Sequence, residues 1–335
     1  MNIAFFTGLI SVMTVFLYGC VGEIITEKSG HLNLGTPGIM CFGATGAAVG
    51  ARILIDILGG PAAAQASVDA GQNIIWGFLM CFLFATIFSG FAGLLYCFMV
   101  DTLQCNQNAT GLVITTLGTG IYMFIGGIVC PEVDRHAFTS IGRQCFSPIF
   151  PEGFRNANWF TQMFLSYSFL VYFAIIIAIV AWIIIKKTRV GLSLRAVGEN
   201  PSTSDASGVN VTRYKYIATI VGSIISGIGG LYYLFDYNVG SMEYSLEGLG
   251  WIAVALVIFS IWNTGLAVFG SFVFAFFYQL PIPLSNIIKN EAINPLVDKL
   301  PYLITIIVLI AISAFKKKET QPPSALGLTY FREDR

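Results

Sequence analysis

The chain has 335 residues, of which 56% are hydrophobic and only 11% charged, and its 18 basic and 18 acidic side chains cancel. Soluble domains carry about 25% charged residues, so the composition excludes a soluble enzyme, a disordered chain and a nucleic-acid binder. With a mean hydropathy of +0.75, it predicts an all-α, polytopic integral membrane protein.

A helix that crosses a bilayer needs about 20 mostly apolar residues. In chain order, candidate spans are Ile3–Val21, Leu32–Ile55, Ile74–Met99, Gly111–Val129, Met163–Ile185, Tyr216–Tyr237, Trp251–Ile261, Leu266–Leu280 and Tyr302–Phe315. Nothing positive precedes the first run and no small-residue cleavage site follows it, so it reads as a retained span, not a signal peptide. Trp251–Ile261 and Leu266–Leu280 are short and meet at Trp262-Asn263-Thr264-Gly265, as a helical pair or one bent helix. The expected number is about eight to ten spans. Residues 1–315 form one transmembrane domain. Residues 316–335, with Pro322-Pro323 and no apolar run, read as a solvated tail.

Positive charge sets orientation. Lys28, the loop 186–215 and the tail hold twelve of the 18 basic residues. Placing all three in the cytoplasm fits about nine spans, with the N-terminus outside and the C-terminus inside. The loop from Cys130 to Gln162 is then external. Cys20, Cys41, Cys81 and Cys97 lie in apolar runs and read as packing. Cys130 and Cys145 flank the external loop and pair only if the fold brings them close. Ser89-Gly90-Phe91-Ala92-Gly93-Leu94-Leu95-Tyr96 resembles Ser226-Gly227-Ile228-Gly229-Gly230-Leu231-Tyr232-Tyr233. In this topology the copies run in opposite directions, as in an inverted repeat, although small residues also recur wherever helices pack in lipid.

Bond-making chemistry finds no support. His31 and His136 are the only histidines and sit in no metal or nucleophile motif; no metal or other cofactor is expected. No glycine precedes a lysine, which removes a phosphate-binding P-loop and with it nucleotide hydrolysis of that kind by this chain. The acids Glu23, Glu27, Asp101, Asp236, Glu243 and Glu247 sit at span ends, which disfavours an ion-coupled carrier without removing it.

Two segments are informative. In Gly191–Val209, Asn200 is a good N-cap, Pro201 suits the first helical position and Gly208 suits the exit. This predicts a short cytoplasmic helix, either solvated or a docking element for a cytoplasmic protein. In Gly22–Met40, Gly35, Pro37 and Gly38 interrupt an apolar run. Here the choice is a broken helix lining a wet cavity, with Asn33 facing a solute, or a loop before an ordinary span.

These segments resemble the permease subunits of ABC importers of the branched-chain amino-acid, ribose and nucleoside type, and within it the nucleoside or simple-sugar permeases. Gly22–Met40 matches the family pattern around its first span, with Lys28 for the usual arginine and Thr36-Pro37 departing from it. Gly191–Val211 matches the cytoplasmic pattern, with Ser204 and Ser207 where alanines are common. Asn106–Leu112 and Gly250–Phe259 match two more, with Ser260 and Thr264 replacing a glycine and a proline. The four matches occur in the family's order. The resemblance implies the membrane-spanning part of an importer in a bacterial cytoplasmic (inner) membrane, working by alternating access. It implies a second permease chain, alike or different, cytoplasmic ABC ATPase subunits and an extracytoplasmic solute-binding protein or lipoprotein. On it, the coupling segment 186–215 docks the ATPase through Arg195, Gly198, Glu199, Asn200, Pro201, Asp205 and Gly208. Nucleosides are the first expectation for the solute, with riboflavin and simple sugars as alternatives. Asn33, Asn106, Gln107 and Trp251 are candidates for the solute path, because amides pair with ring edges or hydroxyls and an indole stacks on a planar base. The rival of another class is an autonomous secondary carrier, which would need no ATP.

Overall fold

A backbone in lipid satisfies its own N–H and C=O groups most simply as helix, and each described apolar run folds so. The computed structural model describes residues 3–287 and 321–331, save 132–133, 156–157 and 243–245, with isolated positions between 299 and 310. Its helices are α1 (Ile3–Glu27), α2 (Thr36–Ile57), α3 (Pro61–Asp69), α4 (Ile74–Cys97), α5 (Gln107–Val129), α6 (Arg135–Cys145), α7 (Glu152–Arg155), α8 (Trp159–Phe164), α9 (Phe169–Lys187), α10 (Arg189–Glu199), α11 (Pro201–Ala206), α12 (Val211–Tyr232), α13 (Glu247–Phe259), α14 (Thr264–Gln279) and α15 (Pro281–Ile287). Among the described residues, 7 helices are long and apolar enough to cross a membrane, and Glu247–Phe259 is a shorter apolar one. The candidate span Tyr302–Phe315 lies mostly outside the described residues.

α2 is the central post. It is buried almost all round and packs on α4, α5, α12 and α13. Small residues let backbones meet there. Gly38 lies against α5, where a Cβ on it would overlap the backbone of Ile114 and Thr115 and a Cβ on Gly118 would overlap Gly38, and Gly43 lies against the backbone of Gly227 of α12 just as closely. α1 packs on α12, α13 and α14.

Several boundaries differ from the apolar runs. α1 continues six residues past Val21, because Thr36 donates to Glu23 and the Trp262 indole to Glu27, and these bonds carry the two carboxylates into the bundle. α5 starts at Gln107 because Asn106 caps it, accepting from the Ala109 amide at 3.1 Å. α9 starts at Phe169, not Met163: Ile149 donates to the Tyr167 carbonyl, and Pro148 and Ser168 form an antiparallel bridge that holds the approach extended. The interruption is a loop that ends at Gly35, followed by an ordinary helix with Pro37 and Gly38 in the first turn of α2. Trp251–Ile261 and Leu266–Leu280 are a helical pair. Ile261 and Trp262, at φ 53° and 51°, turn the chain between them. All seven cysteines are free, Cys130 and Cys145 included.

The similar octapeptides lie on α4 and α12, whose continuations Phe98–Thr102 and Tyr233–Tyr237 are both π-helical. Ser89 packs on Gly227 and Gly93 on Ser223, so α4 and α12 run antiparallel where they meet.

The Lys28 carbonyl packs on Gly198, which brings the loop after α1 and the basic 186–215 region to one end. This is the end that the positive-inside rule assigns to the cytoplasm. The opposite end carries α3 and α6, joined to α2 by the Arg52–Asp134 ion pair. Residues 321–331 are not a solvated extension. They lie against the end that holds the basic 186–215 region, with Pro323 and Ala325 buried.

Candidate functional site

Residues 186–215 hold a helical hairpin of unequal arms, α10 and α11. α9 ends at Lys187, and Thr188 caps α10 by accepting from the Gly191 amide at 3.1 Å. Gly191 has no Cβ to keep it from the last carbonyls of α9, at Ile184 and Ile185. Leu194, Val197 and Gly198 face inward. The chain turns at Asn200, whose side chain accepts from the Thr203 amide at 3.0 Å, and Pro201 opens α11. Gly208 leaves it at φ 84°. Asn210 then caps α12, accepting from the Arg213 amide at 2.9 Å. Ser202, Thr203, Ala206 and Ser207 stay exposed at the tip, while Arg195 and Asp205 are half-buried. Burial pushes the Lys28 ammonium below the usual lysine range, and Glu199 opposes that shift.

The amides named from the sequence are occupied within the chain. Asn33 is buried and accepts from the Gly35 amide at 2.9 Å. Gln107 accepts from the Leu32 amide at 2.7 Å and donates to the Leu328 carbonyl at 3.2 Å. Asn106 is the α5 cap. Trp251 is half-buried on α13, its N–H 3.5 Å from Glu247, and the neighbouring Gly250 rests on Pro37 of α2.

The family of branched-chain amino acid transport system permease components matches residues 4–313. This chain belongs to that family. The permease is 28% identical over 338 residues to a putative glucose ABC transporter permease of Haloferax volcanii, covering 96% of this chain and 95% of that protein. It is 27% identical to a nucleoside ABC transporter permease of Lactococcus lactis, with 95% and 94% covered. It is 24% identical to a guanosine ABC transporter permease of Bacillus subtilis, with 94% and 92% covered. No solved structure matches it. Family and spans together make it a multi-pass protein of the cytoplasmic membrane and a transport subunit.

Two features of this permease were not read from its sequence. The first is a buried polar cluster around His31, in the loop after α1. His31 places one ring nitrogen 3.0 Å from Asp101 and the other 2.8 Å from the Thr219 hydroxyl, and the Lys215 ammonium is 3.7 Å from Asp101. Burial lowers the His31 pKa, with Asp101 opposing and Lys215 assisting. The ring is therefore neutral near pH 7, donating to Asp101 and accepting from Thr219. His31, Cys97 and Asp101 bring metal-ligating atoms within 4.8 Å of one another. Yet both His31 nitrogens are already hydrogen-bonded, and Lys215 supplies the positive charge, so the donors fit an ion-pair cluster better than a metal centre.

The second is the tail, whose residues 324–330 bond to the loop after α1, to α5 and to the α10–α11 hairpin. Its signal was the stretch Ala325-Leu326-Gly327-Leu328-Thr329-Tyr330-Phe331, mostly apolar and aromatic after a polar approach.

Proposed function

We propose that this permease is the membrane-spanning subunit of an ATP-driven importer and that α10 and α11 receive its ATPase. The observation that carries this is the α10–α11 hairpin: braced by Gly191 and Gly198 on backbone, it leaves Ser202, Thr203, Ala206 and Ser207 exposed at the positive end. The ATPase closes on ATP, the hairpin moves with it, and the spans re-orient around the solute, which this chain binds and releases without making or breaking a bond. A second permease chain completes the path. The face of α5 carrying Thr116 and Gly120 forms a shallow hollow with Leu112, Leu117 and Phe124 and is the surface assigned to it, because small and hydroxylated residues favour helix contact in lipid. A separate binding protein or lipoprotein delivers the solute outside.

The names of the relatives favour a nucleoside or a sugar, and we take a nucleoside first, with riboflavin as the further alternative. Of the path residues, Trp251 carries the proposal, since its ring offers a stacking face, while Asn33, Asn106 and Gln107 contribute by shaping the loops around it. The test is a mild-detergent pull-down of the tagged permease, read by mass spectrometry after crosslinking in intact cells. Recovery of a P-loop ATPase crosslinked at Thr203→Cys supports the reading. Recovery of the permease without an ATPase, together with uptake abolished by an uncoupler, replaces it with a secondary carrier.

A further inference from the structure

One short segment of the tail is bonded to three distant parts of the chain. The Ala325 amide donates to the Gly198 carbonyl and the Gly327 amide to the Gly30 carbonyl, both at 3.0 Å. Ser324 directs its amide, at 3.3 Å, and its hydroxyl, at 2.7 Å, to one oxygen of Glu199. The Tyr330 hydroxyl donates to Asp205 at 2.8 Å. The Leu328 carbonyl accepts from Gln107, the same side chain that accepts from Leu32. Gly30 and Gly327 take φ of 93° and 78°, a region that strains other residues, and this lets the two backbones approach. Ala325 is 5% exposed and Leu326 packs on the hydrophobic core.

These bonds cross the molecule. Gly30, Leu32 and Gln107 belong to the N-terminal half, and Gly198, Glu199 and Asp205 to the coupling segment of the other half. The tail grips the base and flank of the hairpin, and Ser202, Thr203, Ala206 and Ser207 remain exposed with it in place. A partner on that tip and the tail therefore occupy different faces.

We infer that residues 323–331 are a tie that makes the coupling segment, the loop 28–32 and the start of α5 one mechanical body, so that a push on the hairpin tip displaces both halves together. The inference rests on the docking reading above for the source of that push. It does not rest on it for the tie.

Two measurements separate the parts. In nanodiscs, hydrogen exchange of the full permease should show the Ala325 and Gly327 amides protected at least tenfold. A chain ending at Gln321 should exchange faster, by a similar factor, across 198–208 and 28–32. Unprotected Ala325 and Gly327 amides in the full chain overturn the tie. In the complex with the ATPase, spin labels at Thr203→Cys and Asn108→Cys should keep one distance with and without ATP in the full chain and diverge on ATP in the shortened one. The double variant Ser324→Ala, Tyr330→Phe keeps most of the backbone contacts and should diverge partly. An unchanged distance in the shortened chain overturns the coupling role. So does tighter ATPase binding on truncation, which would make the tail a cover rather than a tie. If the full chain binds no ATPase, the docking reading and the coupling role fall together, and exchange alone decides the tie.

Discussion

At the scale of single residues, backbone contact and a buried ring carry the sharpest expectations. Gly43→Val places branched carbons against Gly227, and overpacking of this kind costs about 1–3 kcal/mol. Gly153, with nothing within 4 Å of its would-be Cβ, should accept Ala within about 0.5 kcal/mol; thermal unfolding of the detergent-solubilised protein compares the two. His31 gives a dependence on pH. Its folded pKa lies below the unfolded value of about 6.5, so the unfolded state binds the extra proton. Stability is then full above that value and falls as pH drops below it. Burial sets the direction, with Asp101 opposing it and Lys215 assisting. Melting curves from pH 7.5 to 5.5 should decline, and His31→Gln should flatten the slope. The sequence showed Asn200 as a cap because Pro201 follows it. It did not distinguish Asn106 or Gln107 from solute ligands, since an amide beside an apolar run looks the same whether it binds backbone or a guest.

At the scale of elements, apolar length and breakers located the described spans, while helix ends depended on distant partners. α1 outruns its apolar stretch because Thr36 and Trp262 receive its two carboxylates, and no local pattern reveals that pairing. α11 was legible from Asn200, Pro201 and Gly208. α10 was not resolved as a separate arm, because its cap at Thr188 follows two lysines and resembles the end of a span. Removing the cap with Asn200→Ala should cost about 1 kcal/mol, read as about fivefold faster exchange of the amides that follow. Gly198→Leu should be harsher, since its side chain would displace the Lys28 carbonyl and part the hairpin from the loop below it. Crosslinking of the ATPase to Thr203→Cys should then drop at least tenfold while the spans still fold.

At the scale of the whole molecule, charge asymmetry predicted which end faces the cytoplasm, and the packing of Lys28 on Gly198 joins the basic regions there. A membrane-impermeant maleimide should label Ser202→Cys only in inverted vesicles and Gly153→Cys only from outside; the reverse pattern would overturn the orientation. The tail was the largest omission of the sequence reading, because its partners are dispersed over the chain and its own residues are few. Its placement has a consequence for biosynthesis. Glu199 and Asp205 each find a partner 125 residues later in the chain, and α12, α13 and α14 must leave the ribosome in between. A nascent permease therefore inserts most of its membrane domain while its cytoplasmic face is still unfinished, and that face closes only once translation has passed Tyr330.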